Sequence, residues 1–307
     1  MHNFYQNFSN IMIIVKQSLK HLCDDHGNVP KIGRKPKFSD SKLIALSLLA
    51  ECYMIHSENY LFKKLNKLKS LIPHLIDRSN FNRRREQLSN YTELVRRSLV
   101  KKLTFGEDTF VIDSMPVRRP DGPLPICRFS RAKRVRICKQ HYQSAPAFGY
   151  CAAQGLTFYG YKLHSIASLD GVITHFDLSK AHVADIHFLN DVKEHYSQCL
   201  LLGDKAYLSD PMQTELFEEY GLLMNTPKRI NQKDYVKQPA LFRKVRKRIE
   251  TIFSQLCDQF SIQHNYAKSF QGLATRILTK ITGFTLLQYL NKYSLNNQLC
   301  HVKHALL

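Results

Sequence analysis

Asp113 closes the apolar run Thr109-Phe110-Val111-Ile112, Asp204 closes Leu200-Leu201-Leu202-Gly203, and Glu250 stands beside the apolar stripe of a strongly basic helical segment. Each is a carboxylate at the border of a core. Burying an unpaired carboxylate costs several kcal/mol, so an acid so placed has a cation, a proton or a metal to satisfy it. Three such acids on separate elements predict one shared cation site. Hard carboxylate oxygens suit Mg²⁺ or Mn²⁺, whereas zinc would want His or Cys at short spacing. Two such ions about 4 Å apart activate a water or a 3′-hydroxyl and steady the leaving oxygen of a phosphodiester. Plainer roles stand beside this one: Asp113 as the cap of a turn at Ser114-Met115-Pro116, and Glu250 as the surface partner of Arg246. Arg246 lies four residues before Glu250 and therefore shares its helix face, where it either holds a phosphate or pairs with the glutamate.

The elements that must position these acids follow from periodicity. Residues 109–113 read as a buried strand. Residues 161–167 and 172–178, joined at Asp170-Gly171, read as a hairpin with a strong turn signal. Helices are predicted over 187–197, 210–220 and 244–260, alternating with strands at 200–203 and 222–225. In the last helix Val245, Ile249, Ile252, Phe253, Leu256 and Phe260 form one apolar stripe, with Glu250 at its edge. The expected architecture is α/β: a mixed five-stranded sheet flanked by helices, three antiparallel strands followed by two parallel additions. Ligands are then expected at the carboxyl ends of the central strands, where Asp113 and Asp204 fall.

Ahead of this core, Pro30 and Pro36 with Gly27 and Gly33 separate an amphipathic helix at 8–23 from three helices at 40–53, 58–69 and 80–103, with Ser39-Asp40-Ser41 as an N-cap. The last carries Leu88, Tyr91, Val95 and Leu99 on one face and Arg83, Arg84, Arg85, Arg96, Arg97, Lys101 and Lys102 on the other. An arginine-led helix of this kind could enter a DNA groove; its plainer reading is a solvated face. The resulting division is a helical, basic, DNA-binding region at 1–104, a catalytic domain at 105–265 with a basic insertion at about 117–157, and a basic helical segment at 266–307.

Charge supports a polyphosphate partner. The 307 residues carry 45 basic against 25 acidic side chains, a formal net charge of +20, far beyond what solubility needs. The excess sits in 1–104 and 241–307, while the middle is nearly balanced. No apolar run is long enough for a membrane span, and Met1-His2-Asn3-Phe4 has no basic lead into an apolar segment, so a cytoplasmic location is expected. The eight cysteines form no Cys-x-x-Cys pair and are expected to be reduced and mostly buried.

The stretches Val111-Ile112-Asp113-Ser114-Met115-Pro116, Phe158-Tyr159-Gly160-Tyr161-Lys162-Leu163-His164, Leu202-Gly203-Asp204-Lys205-Ala206-Tyr207 and Arg248-Ile249-Glu250-Thr251-Ile252-Phe253-Ser254 resemble the Asp-Asp-Glu (DDE) transposases of bacterial insertion sequences. So do Gly33-Arg34-Lys35-Pro36 and Asp77-Arg78-Ser79-Asn80-Phe81-Asn82-Arg83-Arg84-Arg85. The resemblance implies a ribonuclease-H-like core in which Asp113, Asp204 and Glu250 bind two divalent ions. It also implies that Arg246 is the arginine of an Arg-x-x-x-Glu signature, with Lys205 and Tyr207 flanking the second aspartate at the DNA. The implied partners are the element's terminal repeats, target DNA and a second copy of the chain, with the protein on the nucleoid. Three departures stand out: Ala206 in place of an expected glycine, extra sequence at 117–122, and Arg243 where a tyrosine is usual. The short stretch 205–249 leaves no room for a large domain between the second and third acids.

Other candidates are weaker. Arg128, Arg131, Lys133, Arg134 and Arg136, with Lys139, could track a DNA backbone or be a solvated loop. Cys127, Cys138 and His141 lack a fourth zinc ligand. Asp185 either orients a ligand or, more simply, caps the helix that follows. No glycine-rich phosphate loop or nucleophile elbow is present, so neither ATP use nor acyl transfer is expected. The rival functions are a non-catalytic DNA-binding regulator and a metal-dependent nuclease without strand transfer.

Overall fold

A computed structural model describes residues 2–117, 145–151, 155–228, 235, 239–263, 267, 269–302 and 306. The chain divides into two compact units. A helical unit comprises Met1–Leu103, Leu256–Ala267 and Gln271–Leu307, and a sheet unit comprises Thr104–Gln255 and Lys268–Phe270. The C-terminal segment expected to stand apart therefore groups with the N-terminal helices.

The sheet unit is a mixed α/β layer of six strands: β1 (Thr109–Val117), β2 (Ala147–Cys151), β3 (Leu156–Ser168), β4 (Ile173–Lys180), β5 (Leu200–Leu202) and β6 (Leu223–Asn225). β1 and β4 both pair antiparallel with the stretch of β3 from Tyr161 onward, so they lie on its opposite edges. β5 runs parallel to β1, and β6 parallel to β5. This is the expected three antiparallel strands plus two parallel additions, with β2 as a sixth strand on the first part of β3. One face of the sheet is made by Phe110, Ile112, Ile166 and Leu201 and is covered by Phe188, Leu189, Val192, Tyr207 and Leu216. Those covering residues come from a 3-10 turn (Asp185–Phe188), the short helix α6 (Leu189–Lys193), a second 3-10 turn (Lys205–Tyr207) and helix α7 (Asp210–Tyr220). The helix expected over 187–197 is thus shorter and begins as a 3-10 turn. Helix α8 (Ala240–Asp258) buries Ile249, Ile252, Phe253 and Leu256, as its stripe requires.

The helical unit holds α1 (His2–Ser18), α2 (Asp40–Cys52), α3 (Glu58–Asn66), α4 (Arg78–Gln87), α5 (Ser89–Leu103) and α9 (Phe270–Tyr293). α1 starts earlier than expected because Phe4 and Phe8 extend the buried stripe of Ile11 and Val15. The long helix expected over 80–103 is two helices broken at Leu88, the C-cap residue of α4. Asp77 caps α4 by accepting from Ser79 N at 2.9 Å and Asn80 N at 3.0 Å. Arg84 and Arg85 turn inward rather than toward solvent. Arg84 pairs with buried Asp40 at 2.6 Å and Arg85 with Glu58 at 2.8 Å, and Arg276 of α9 also reaches Glu58. Arg96, 1% exposed, pairs with Glu93. α9 is buried along most of its length, including Lys280. Of the described cysteines only Cys199 is fully buried; Cys23, Cys52, Cys151, Cys257 and Cys300 are partly so, and none is bridged. No helix among the described residues is long and apolar enough to cross a membrane.

Candidate active site

Parallel pairing places the first two acids. Val111 of β1 lies opposite Leu202 of β5, a pair of strands about 4.8 Å apart, and Asp113, further along β1, and Asp204, just past β5, each follow that pair by two residues. Gly203 makes the approach possible. A Cβ there would meet Met224 Cε at 2.8 Å, Ile112 Cγ2 at 3.2 Å and Tyr207 Cδ2 at 3.3 Å. Asp204 then caps the turn Lys205–Tyr207, its Oδ1 accepting from Ala206 N at 2.8 Å. Asp113 Oδ1 accepts from Ser114 N at 2.8 Å.

Burial pushes the Asp113 carboxyl up to about 7, and the negative charges of Asp204 and Asp185 add to the rise; the Ser114 N–H and the Arg246 guanidinium oppose it. A carboxylate raised by burial and by like charges is one that a divalent cation would relieve. The donor set here, Asp113 on β1 and Asp204 just past β5, therefore fits a hard cation. Arg246 acts on Asp113 from α8. Glu250 itself is exposed. Among the described residues, no three or more His, Cys, Asp or Glu side chains stand together in a group that could hold one metal ion. The structure thus brings Asp113 and Asp204 together and does not gather Glu250 with them. α8 lays the stem of Arg248 and the tip of Ile252 against Gly171, at the β3–β4 turn.

Asp185 is held rather than capping. Its Oδ1 accepts from Lys162 Nζ at 2.9 Å, and that ammonium also donates to Val183 O at 2.7 Å. The turn that Asp185 begins has no side-chain cap bond. His164, two residues along β3 on the same face as Lys162, bonds Ser179 Oγ through Nε2 at 2.7 Å and stacks on Phe188. Burial holds its imidazole down at about 4, hence neutral. This Lys162–Asp185 support was not read from the sequence. The two-residue alternation that put Lys162 and His164 on one strand face was the available signal.

Lys205 is exposed, whereas Tyr207 is wholly buried and its hydroxyl has no hydrogen-bond partner. Burial, with Asp185, Asp113 and Asp204 nearby, raises its phenol well above the ordinary range. The DNA-contacting role expected of Tyr207 is therefore corrected: it is a core residue beneath the carboxylates. Of the arginine trio in α4, only Arg83 is exposed. Arg128, Arg131, Lys133, Arg134 and Arg136, and the Cys127, Cys138 and His141 set, lie outside the described residues.

A family model described as a transposase DDE domain matches residues 104–286, more than half of the chain. The chain belongs to the DDE transposase family. No curated protein and no solved structure matched it. The transposase domain spans β1 to the greater part of α9, so Asp113, Asp204 and Glu250 all lie within it. The family is one of nucleic-acid-processing enzymes of the polynucleotidyl transferase type, and it acts on DNA.

Proposed function

We propose that this chain is the DNA transposase of an insertion sequence, hydrolysing phosphodiesters at the element's ends in a Mg²⁺-dependent reaction and joining the freed 3′-hydroxyls to target DNA. The observation that carries this reading is the closeness of Asp113, inside β1, to Asp204, just past the parallel neighbour β5, within the matched domain. Asp113 and Asp204 would hold the cation, and Glu250 would join them from α8, where Arg246 on the same helix face already acts on Asp113. A bound Mg²⁺ would supply Lewis-acid activation of the attacking oxygen and neutralise charge on the leaving one.

The chain's own groups do the rest. Arg246 orients a phosphate beside Asp113, and Lys205, exposed one residue after Asp204, draws the backbone of the duplex to the same strand ends. The Lys162–Asp185 pair fixes the turn that packs beneath them. Exposed Arg83, and the basic residues Arg128, Arg131, Lys133, Arg134 and Arg136, are further candidates for DNA contact. Concerted action on two ends calls for a homodimer on DNA, bound to the nucleoid in the cytoplasm.

The exposed position of Glu250 favours one rival, a DNA-binding regulator without catalysis. Purified protein incubated with Mg²⁺ and a terminal-repeat duplex separates the two. Cleavage and joined products are expected, falling by at least about a hundredfold in Asp113→Asn, Asp204→Asn and Glu250→Gln while duplex binding persists. Cleavage that survives Asp113→Asn, or that needs no divalent ion, would overturn the proposal, and cleavage without joined products would make the protein a nuclease.

A further inference from the structure

Between α1 and α2 the chain reads Pro30-Lys31-Ile32-Gly33-Arg34-Lys35-Pro36-Lys37, four cations with no acid among them. Lys31, Ile32, Gly33, Arg34, Lys35 and Lys37 are all exposed. Ile32 is as open as in an extended chain, at 104% relative exposure. Gly33 takes a left-handed φ of +93°, and a Cβ there would meet nothing within 4 Å.

The base of this loop is fixed. Val29 N donates to Asp40 Oδ2 at 3.1 Å, Asp40 N to Asn28 Oδ1 at 3.2 Å and Asn28 Nδ2 to Pro36 O at 3.4 Å. Asn28 and Asp40 are buried. Asp40 also receives Arg84 at 2.6 Å, which ties the loop to α4. Lys35 is held back by Asp24 at 2.7 Å, leaving Lys31, Arg34 and Lys37 to face outward. The helical unit therefore presents a moored projection with an apolar tip among cations.

An isoleucine left wholly in water forgoes the stabilisation of burial, which a partner would recover. The partner's chemistry follows from the loop's shape and charge. A single irregular strand is too slender to fill a major groove, which takes a helix or a two-stranded ribbon. The minor groove, about 6 Å wide, admits arginine and lysine, most readily where A·T pairs narrow it. Apolar side chains enter there as wedges against the base steps.

We infer that loop 30–37 enters the minor groove of duplex DNA, with Arg34 inside the groove, Ile32 against the base and sugar edges, and Lys31 and Lys37 on the flanking phosphates. The inference rests on the transposase reading for its partner and adds where the helical unit grips it.

Full-length protein titrated by fluorescence anisotropy against three duplexes tests this. One is A·T-rich, one G·C-rich, and one replaces each A·T pair with inosine·cytosine, which keeps a minor groove lacking the guanine amino group while giving the major groove of G·C. Wild type is expected to bind the A·T and inosine duplexes alike and the G·C duplex roughly five- to tenfold more weakly. Arg34→Ala should remove that preference and lower the slope of log K against log salt by about one. Arg34→Lys should keep the slope and lose the preference. Ile32→Ser should weaken binding without changing the slope, and equal thermal transitions would show that the variants are folded.

Wild-type binding that Arg34→Ala leaves unchanged overturns the inference alone. So does a preference for A·T over inosine·cytosine, or Arg34-dependent binding to anionic vesicles in place of DNA. Failure of the wild type to bind any duplex overturns the transposase reading as well.

Discussion

In the helical unit the ammonium of Lys280, 1% exposed, meets three acceptors: Glu51 Oε2 at 2.7 Å, Phe260 O at 2.6 Å and His56 Nδ1 at 3.4 Å. In the sheet unit the partly buried carboxyl of Asp113 has one backbone N–H on its oxygen and two further aspartates in its field. The first arrangement satisfies every proton of a buried cation with groups from distant parts of the same unit. The second concentrates like charge that the folded chain itself only partly offsets. Charge answered internally builds a scaffold, whereas charge left in excess beside the paired strands β1 and β5 is a site prepared for something brought from outside.

The contrast breaks most visibly at Glu51. Glu51→Ala leaves the Lys280 ammonium buried without its carboxylate and is expected to cost about 3–5 kcal/mol, measured as a lower urea midpoint in the full-length chain. Glu51→Leu combined with Lys280→Met should return close to wild type, because replacing both partners with apolar groups removes the unpaired charge. A cost under about 1 kcal/mol for Glu51→Ala would mean that water reaches Lys280, and the comparison would fail.

The sheet unit should respond in the opposite sense. Asp113→Asn removes a charge that burial and Asp204 oppose, and it is expected to stabilise the metal-free protein by about 1 kcal/mol, or roughly 2–4 °C in Tm. Mg²⁺ should raise the Tm of the wild type and leave that of Asp113→Asn unchanged. Calorimetry in EDTA and in Mg²⁺ checks both. A variant less stable than wild type in EDTA would show that Asp113 serves the fold and not a cation.

Local patterns carried much of this architecture and stopped where distant partners decide. The Asp170-Gly171 hairpin and α7 (Asp210–Tyr220) lie where alternation and caps predicted, whereas β1 runs on to Val117, four residues past its expected end at Asp113. Asp113 therefore lies inside β1 and Asp204 two residues past β5, close to each other because the two strands pair. Strand β2 went unread because Phe148 and Tyr150 point outward around a buried glycine, so no apolar run marks it. Arg84 and Arg85 looked like a DNA-binding face, or more plainly a solvated one, since their partners stand 44 and 27 residues away, beyond any helical spacing. Lys162 and Asp185, 23 residues apart, escaped for the same reason. Tyr207 was read as a DNA contact because its place beside Asp204 says nothing of which way a 3-10 turn aims its side chain.

Glu58 gives the finest test of the scaffold. Burial pushes its carboxyl up, but the guanidinium groups of Arg276 and Arg85 and the amide of Asn82 outweigh that and hold it below the usual glutamate value. A carboxyl whose folded value is depressed adds stability that is fully present above the unfolded value near 4.5 and is lost as pH falls through the folded value. Wild type should therefore lose stability on acidification below that pH more steeply than Glu58→Gln, which keeps the shape and a hydrogen-bonding amide but has no proton to gain. The two curves should run parallel from pH 6 to 8, offset by the cost of facing Arg85 and Arg276 with a neutral group, and then converge below about pH 4. Urea midpoints measured across that range decide it, and a constant offset down to pH 3 would show that Glu58 is not the group whose charge holds α3, α4 and α9 together.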